Sequence, residues 1–291
     1  MLSISRPARA RMACATLGVS ALLLASCAAT PSASDTGDGS LLTDLQSAGS
    51  VKVSISQTMP YTSLGADGKP TGYVVDLATE VMQALGVPAL DATVSTFDAM
   101  IPGLQANQVD MAIGGLSITN ERCKTIDFSA PFVVVNDALF VSPGNPRDLT
   151  SFASVAADST SHLAVITGSS QEAFALKQNI QDGQLVRVPD VQSGVAAVAG
   201  GRADAAAFGQ FSVPEAIRQG LEMHVDKSTP LQGGAIAFRK SDVVLRDAFN
   251  EQLAKLREDG TLKDLYEEWG FPNWDVLQDV TSAAQIASDC S

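Results

Sequence analysis

Histidine is nearly absent from this 291-residue chain, cysteine is scarce, and basic residues are outnumbered. His162 and His224 stand alone, which argues against a histidine-based metal site or acid–base centre. Four cysteines occur without a CxxC pair, so neither a redox dithiol nor a zinc knuckle is indicated. No GxSxG, HExxH or GxxxxGK stretch is present; Gly65-Ala66-Asp67-Gly68-Lys69 has the wrong spacing for a phosphate loop and reads as a turn between strands. Glu267 and Glu268 form a carboxylate pair, but on a helix whose acidic side reads as solvated. No catalytic residues, no metal and no cofactor are therefore expected. Lys and Arg number 19 against 32 Asp and Glu, a formal net charge of −13. Such a chain repels phosphates, which excludes nucleic acid as a partner, and charge does not draw it to anionic lipid. Its acidity serves solubility.

What is present begins at the N-terminus. Arg6, Arg9 and Arg11 precede an uncharged run from Met12 to Ser26, the layout of an export signal. A membrane-spanning anchor is the weaker alternative, since about 20 apolar residues are needed and this run is shorter. Leu24-Ala25-Ser26-Cys27 resembles the bacterial lipoprotein cleavage box. The resemblance implies a signal peptide over 1–26, lipidation of Cys27 with palmitate among the acyl chains, and attachment to the extracytoplasmic face of the cell membrane through lipid alone. Losing three arginines and no acid takes the formal net charge from −13 to −16. Residues 27–48 read as a flexible tether, because AATPSASDTGDGS is small and polar. Cys14 leaves with the signal and Cys27 takes lipid, so Cys123 and Cys290 remain in a space where disulfides persist. Their pairing is expected; the alternative is a free, half-buried Cys123 and a disordered tail.

The body alternates short apolar strands with amphipathic helices. Strands are predicted at 51–55, 93–95, 109–113, 163–166, 185–188, 203–208 and 233–238, with a further strand that ends in loop residues within 138–146, and helices at 76–85, 97–105, 170–178, 192–199, 242–258 and 262–269. Pro102 shortens or kinks the second of these helices. Alternation of this kind predicts an α/β fold with mostly parallel sheets. The chain reads as two lobes: 49–140 with 232–275, and 141–231, followed by a tail over 276–291. Ligands of open parallel sheets sit at the carboxyl ends of strands, so two such lobes facing each other would make a cleft.

One constellation carries binding chemistry. Gly114-Gly115-Leu116-Ser117-Ile118-Thr119-Asn120-Glu121-Arg122 follows the predicted strand 109–113. The glycines admit a ligand to the backbone, Ser117 and Thr119 supply hydroxyls, and Arg122 offers a planar fork matched to a carboxylate. From the residues alone, a helix cap at Thr119 explains the stretch equally well.

This segment, continued through Ile126-Asp127-Phe128-Ser129-Ala130-Pro131-Phe132, resembles the solute-binding proteins of polar amino acid ABC importers, extracellular solute-binding protein family 3. Met59-Pro60-Tyr61, Gly72-Tyr73-Val74-Val75-Asp76-Leu77, Phe97 to Leu104 and Gly201-Arg202-Ala203-Asp204-Ala205 resemble further family motifs in the family's order, so that the likeness covers Val51 to Gly270. The resemblance implies a two-lobed type II periplasmic-binding-protein fold with hinge strands, no catalysis, and a small-molecule solute passed to an ABC permease and its ATPase; a monomer is expected. It assigns ligand contacts to Tyr61, Phe97, Gly115, Ser117, Thr119 and Arg122 in the first lobe, and to Ser169, Ser170, Gln210 and Phe211 in the second. Packing is the alternative for Tyr61. A plain N-cap is the alternative for Gly168-Ser169-Ser170, where free helix N–H groups otherwise suit an anion.

One departure bears on the ligand. Amino acid binders of this kind place an Asp near the end of the strand after Gly201–Ala205, and Gly209 stands there. Ectoine-binding lipoproteins of the same family lack that acid and share Ala99–Gln105 and Glu121-Arg122-Cys123, but carry an aromatic where this chain has Ser117 and an acid where it has Thr58. The expectation is a carboxylate-bearing solute, amino acid or amino-acid-derived, whose cation is delocalised or quaternary. The rivals are a cyclohexadienyl dehydratase-like enzyme on the same fold and a sensory lipoprotein.

Overall fold

The computed structural model describes residues 40–290. The export signal, Cys27 and the tether up to residue 39 lie outside the described residues. The elements run in chain order as follows. First come α1 (Ser40–Ala48), β1 (Ser50–Ile55), a small hairpin of β2 (Ser63–Leu64) and β3 (Pro70–Thr71), α2 (Tyr73–Ala84), β4 (Ala89–Val94), α3 (Met100–Gln105), β5 (Met111–Ser117), α4 (Asn120–Cys123), β6 (Ile126–Phe128) and β7 (Val133–Val135). Next come β8 (Asp137–Val141), α5 (Phe152–Ala157), β9 (Leu163–Ile166), α6 (Ser170–Lys177), β10 (Leu185–Val188), α7 (Val191–Ala199), β11 (Ala205–Gly209) and β12 (Glu222–Val225). Last come β13 (Gln232–Arg239), α8 (Val243–Glu258), α9 (Thr261–Glu268) and α10 (Trp274–Leu277).

Two sheets result. The first has the order β4-β1-β5-β13-β6, with β7 also on β13; the second has the order β10-β9-β11-β8-β12. In the first, β4, β1 and β5 run parallel and the late strand β13 returns antiparallel against β5, β6 and β7. In the second, β9, β10 and β11 run parallel and β8, the first of its strands, is antiparallel to β11 and β12. Apolar clusters cover both faces of each sheet, which is why β11 and β13 are near-continuous runs of buried small and apolar residues rather than alternating ones. The chain leaves the first sheet at Val135 and enters the second at Asp137, so Asn136 alone forms the first crossing; it returns between Val225 and Gln232. The boundary expected at 140/141 therefore moves upstream, because Asp137 to Val141 pair throughout with Gly209 to Ala205.

Two further differences have physical causes, and the tail meets the expectation of a Cys123–Cys290 pair. Part of the expected tether is α1, whose Leu41, Leu42 and Leu45 pack on the first core. The strand predicted at 109–113 is displaced to 111–117, taking in Gly114 and Gly115, because glycine is required there: a Cβ at 114 would meet Met100 Cε at 2.2 Å, and Gly115 has a φ of +77°. The tail is ordered by Ala283, Ala287 and Cys290, which are buried beside Ile118 and Cys123. Cys123 and Cys290 are bonded, their Cα atoms 5.2 Å apart. Among the described residues no helix is long and apolar enough to cross a membrane.

Candidate functional site

The lobes meet around a cleft of about 610 Å³, a figure that includes its open mouth. From the first lobe it is walled by Thr58, Tyr61, Phe97, Gly115 and Ser117, and from the second by Ser169, Gln171 and Gly209, with Ser212 just beyond β11. Strand ends set this placement. Ser117 closes β5 and Gly209 closes β11, while Ser169 caps α6 by accepting the Glu172 N–H at 3.1 Å. Thus Tyr61, Phe97, Gly115, Ser117 and Ser169, each expected from the sequence, share one cavity. Tyr61 is both wall and core. Its ring lies 5.5 Å from Phe271, burial pushes its hydroxyl pKa up, and Ser212 hydrogen-bonds to it.

The other expected residues stand behind or beside that wall. Arg122 is half-buried, its guanidinium 5.4 Å from the Phe97 ring centroid. It donates to the Ser117 carbonyl at 2.7 Å and, across the lobes, to the Gly168 carbonyl at 3.0 Å. Burial pushes its pKa down to about 10, and among the described residues it forms no ion pair. Thr119 is a cap in fact: its hydroxyl accepts the Arg122 backbone N–H at 3.2 Å, which fixes the turn that carries the arginine. Ser170 bridges the lobes, its hydroxyl donating to Gln232 Oε1 at 2.8 Å while its Oγ lies 3.2 Å from the Ser117 hydroxyl. Gln210 stays at the crossing, where it exchanges hydrogen bonds with Asn136. Phe211 packs edge-on to Phe271, 5.5 Å between centroids, and belongs to the first lobe's core rather than to the cleft wall.

Residues missed from the sequence complete the seam. Asp137, at the start of β8, is fully buried. Its Oδ1 accepts Gln171 Nε2 at 2.7 Å and its Oδ2 accepts Gln232 Nε2 at 2.6 Å, so one amide comes from each lobe. Burial pushes its pKa up to about 6, against the opposing pull of the two amides. An Asp at a strand start in an apolar stretch carries no local signal, and its partners lie 34 and 95 residues away. Among the described residues no group of three metal-ligating side chains is found.

A cleft between two sheets, walled by strand ends and flanked by an arginine without a carboxylate partner among the described residues, is a binding architecture, and its family is decided by the match of residues 51–272 to the model of the bacterial extracellular solute-binding proteins, family 3. The chain belongs to this family. It is a solute-binding protein that acts outside the cytoplasm. It is 30% identical over 251 residues to the lysine/arginine/ornithine-binding periplasmic protein of Escherichia coli (strain K12), covering 79% of this chain and 94% of that protein. It is 29% identical over 243 residues to a probable amino-acid ABC transporter periplasmic-binding protein, y4tE, of Sinorhizobium fredii, covering 79% and 80%. The crystal structure of EhuB in complex with hydroxyectoine superimposes with a TM-score of 0.80 at 32% identity, covering 84% of this solute-binding protein and 97% of that chain. The first two are binding proteins by name, and the third is a complex with a small solute, hydroxyectoine.

Proposed function

We propose that this protein is the substrate-binding lipoprotein of an ABC importer. It is tethered by Cys27 outside the cell membrane, captures a small carboxylate-bearing amino acid or amino-acid derivative between its lobes, and delivers it to a permease driven by its ATPase. The observation that carries the reading is Arg122: a half-buried cation on the lobe seam, satisfied only by carbonyls, with no carboxylate of the described residues paired to it. A buried guanidinium without a counter-charge is costly unless a ligand supplies one, and its planar fork matches a carboxylate bidentately. Tyr61, Phe97 and Gly115 form the apolar wall, Ser117 and Ser169 offer polar contacts, Thr119 positions Arg122, Ser170 positions Ser117, and Gln210 and Phe211 border the site from the crossing and the first core. Neither catalysis nor a cofactor is part of the role.

Closure selects the solute: ligand bridging Arg122 and the second lobe favours the closed form, which is the form a permease recognises. A thermal-shift panel of amino acids and compatible solutes tests the reading, since a ligand at 100 times its Kd stabilises by about 2.7 kcal/mol. A clear upward shift with at least one carboxylate-bearing solute is expected, and no shift with any would overturn it. Lipidation is tested by labelled-palmitate incorporation, which Cys27→Ser should abolish; labelling that survives the substitution contradicts the anchor.

A further inference from the structure

Among the described residues, two charges on the lobe seam lack partners of opposite sign. One is Arg122 and the other is Asp137, fully buried and held by neutral amides alone. An ionised carboxylate taken out of water needs a compensating charge, and dipoles of two side-chain amides offset only part of that cost. Every nearby acid other than Asp137 is accounted for or exposed. Asp226 accepts the Phe152 N–H at 2.9 Å and both the Ser228 N–H and hydroxyl. Glu215 is exposed and paired with Arg218 at 2.9 Å, and Asp98 is exposed.

Asp137 lies directly opposite Gly209 in the antiparallel ladder of β8 and β11. Residues so paired project from the same face with their Cβ atoms about 5 Å apart. Further along, that face carries Leu139, Val141, Ala205 and Ala207 into a core of the second lobe, so only its strand-end edge, at Gly209, reaches the cleft. Gly209 lines the cavity, and a Cβ on it would meet Ser212 Oγ at 3.3 Å and Val135 Cγ2 at 3.4 Å, both cavity-lining residues. Gln171, which covers Asp137 Oδ1, is itself part of the cavity wall. A hydrogen-bonded chain joins the two unpaired charges around the cleft: Arg122 to the Ser117 carbonyl, the Ser117 hydroxyl to Ser170, Ser170 to Gln232, and Gln232 to Asp137.

We propose that Asp137 is the counter-charge for the cationic end of the solute, standing in from the neighbouring strand for an acid at position 209, so that Arg122 and Asp137 together select a zwitterion whose cation bears N–H groups. The inference rests on the solute-binding reading above. The cation must carry N–H because both carboxylate oxygens now receive N–H donors. An ammonium, amidinium or guanidinium replaces the donor that Gln171 withdraws, whereas a quaternary ammonium leaves an oxygen bare. This removes the ground for expecting a delocalised or quaternary cation: the missing acid at Gly209 has a substitute that only the ladder register reveals.

The test is calorimetric titration of the mature chain with L-arginine, L-lysine, L-glutamine, ectoine and hydroxyectoine, and with glycine betaine as the probe without N–H on its cation. The variants are Asp137→Asn, the double variant Asp137→Asn with Gly209→Asp, and Arg122→Ala. The best N–H probe is expected to weaken about 30-fold or more in Asp137→Asn and to regain about tenfold in the double variant, because the charge returns to the same face. A purely structural Asp137 would not be rescued from position 209. Binding within about 3-fold of wild type in Asp137→Asn, with binding lost in Arg122→Ala, overturns the role of Asp137 and leaves the solute-binding reading intact. Tighter binding of glycine betaine than of every N–H probe also overturns it. A wild-type protein that takes none of the probes overturns both readings. If Asp137→Asn alone does not fold, a folded double variant decides: binding supports the proposal and its absence contradicts it.

Discussion

Two buried aspartates in neighbouring segments of the chain are treated in opposite ways. Asp127, on β6, receives Lys240 Nζ and, at 3.0 Å, Arg246 NH1; it is a scaffold ion pair with its charge neutralised inside the first lobe. Asp137, on β8, is the more deeply buried and has no cation among the described residues. Arginines divide likewise: Arg239 bonds Asp242 at 2.6 Å and Arg246 bonds Asp127, while Arg122 meets only carbonyls. The scaffold charges Asp127, Arg239 and Arg246 are paired within the first lobe. Arg122 and Asp137 lie on the seam between the lobes, where a solute with both signs of charge would complete them.

The predictions separate the two groups. On the scaffold side, Cys290→Ser frees the tail that covers Cys123, and in the chain-entropy picture the loop it closes contributes up to about 5 kcal/mol. Melting should fall sharply, with solute affinity changed less than about tenfold. Two free thiols per chain, counted in denaturant without reductant, would refute the bond. Asp127→Ala should lower stability by roughly 2–4 kcal/mol in denaturant titration, less than the full penalty for a broken buried pair because Lys240 is half-exposed. Solute affinity should hold, and a variant that binds weakly but melts normally would erase the distinction.

On the seam side the signs reverse. Arg122→Ala should weaken solute binding by about 2 kcal/mol, near 30-fold, because a ligand carboxylate loses its charged partner. The melting point of the empty protein should stay put or rise, since an uncompensated charge is gone. The smallest effect is one of pH. Because burial raises the Asp137 pKa to about 6, above its unfolded value, the folded state holds this proton more tightly, and the group's contribution to empty-protein stability falls as pH rises through that window. Asp226, the charge acting on it beyond the two amides, pushes the same way. Solute affinity should move oppositely, dropping up to about tenfold per pH unit below 6 as the carboxylate is neutralised. A flat affinity profile between pH 5 and 7 in calorimetry, at about those limits, would remove Asp137 from the site.

The division also marks how far the sequence could be read. Val51–Ile55 alternates, α8 repeats its apolar residues at helical spacing, and the order of strands and helices implies α/β lobes without further information. Tyr61, Phe97, Gly115, Ser117 and Ser169 sit in motifs whose local chemistry points to a cleft, and they line one. What stayed hidden depends on contacts distant in sequence. Gly114-Gly115 reads as a loop because the methionine that demands a glycine comes from α3. Phe211 reads as a ligand wall because nothing local shows Phe271 waiting for it. Asp137 faces Gly209 only through the register of β8 on β11, and a one-residue slip would turn it to the opposite face.

The central claim is that the interlobe cleft captures a small carboxylate-bearing solute through Arg122. Its most direct measurement is equilibrium dialysis of the mature protein and its Arg122→Ala variant against radiolabelled arginine, lysine, glutamine and ectoine. One solute bound per wild-type chain, lost or weakened about 30-fold in the variant, is the predicted result. Retention of none of the four, or retention indifferent to the loss of Arg122, would contradict it.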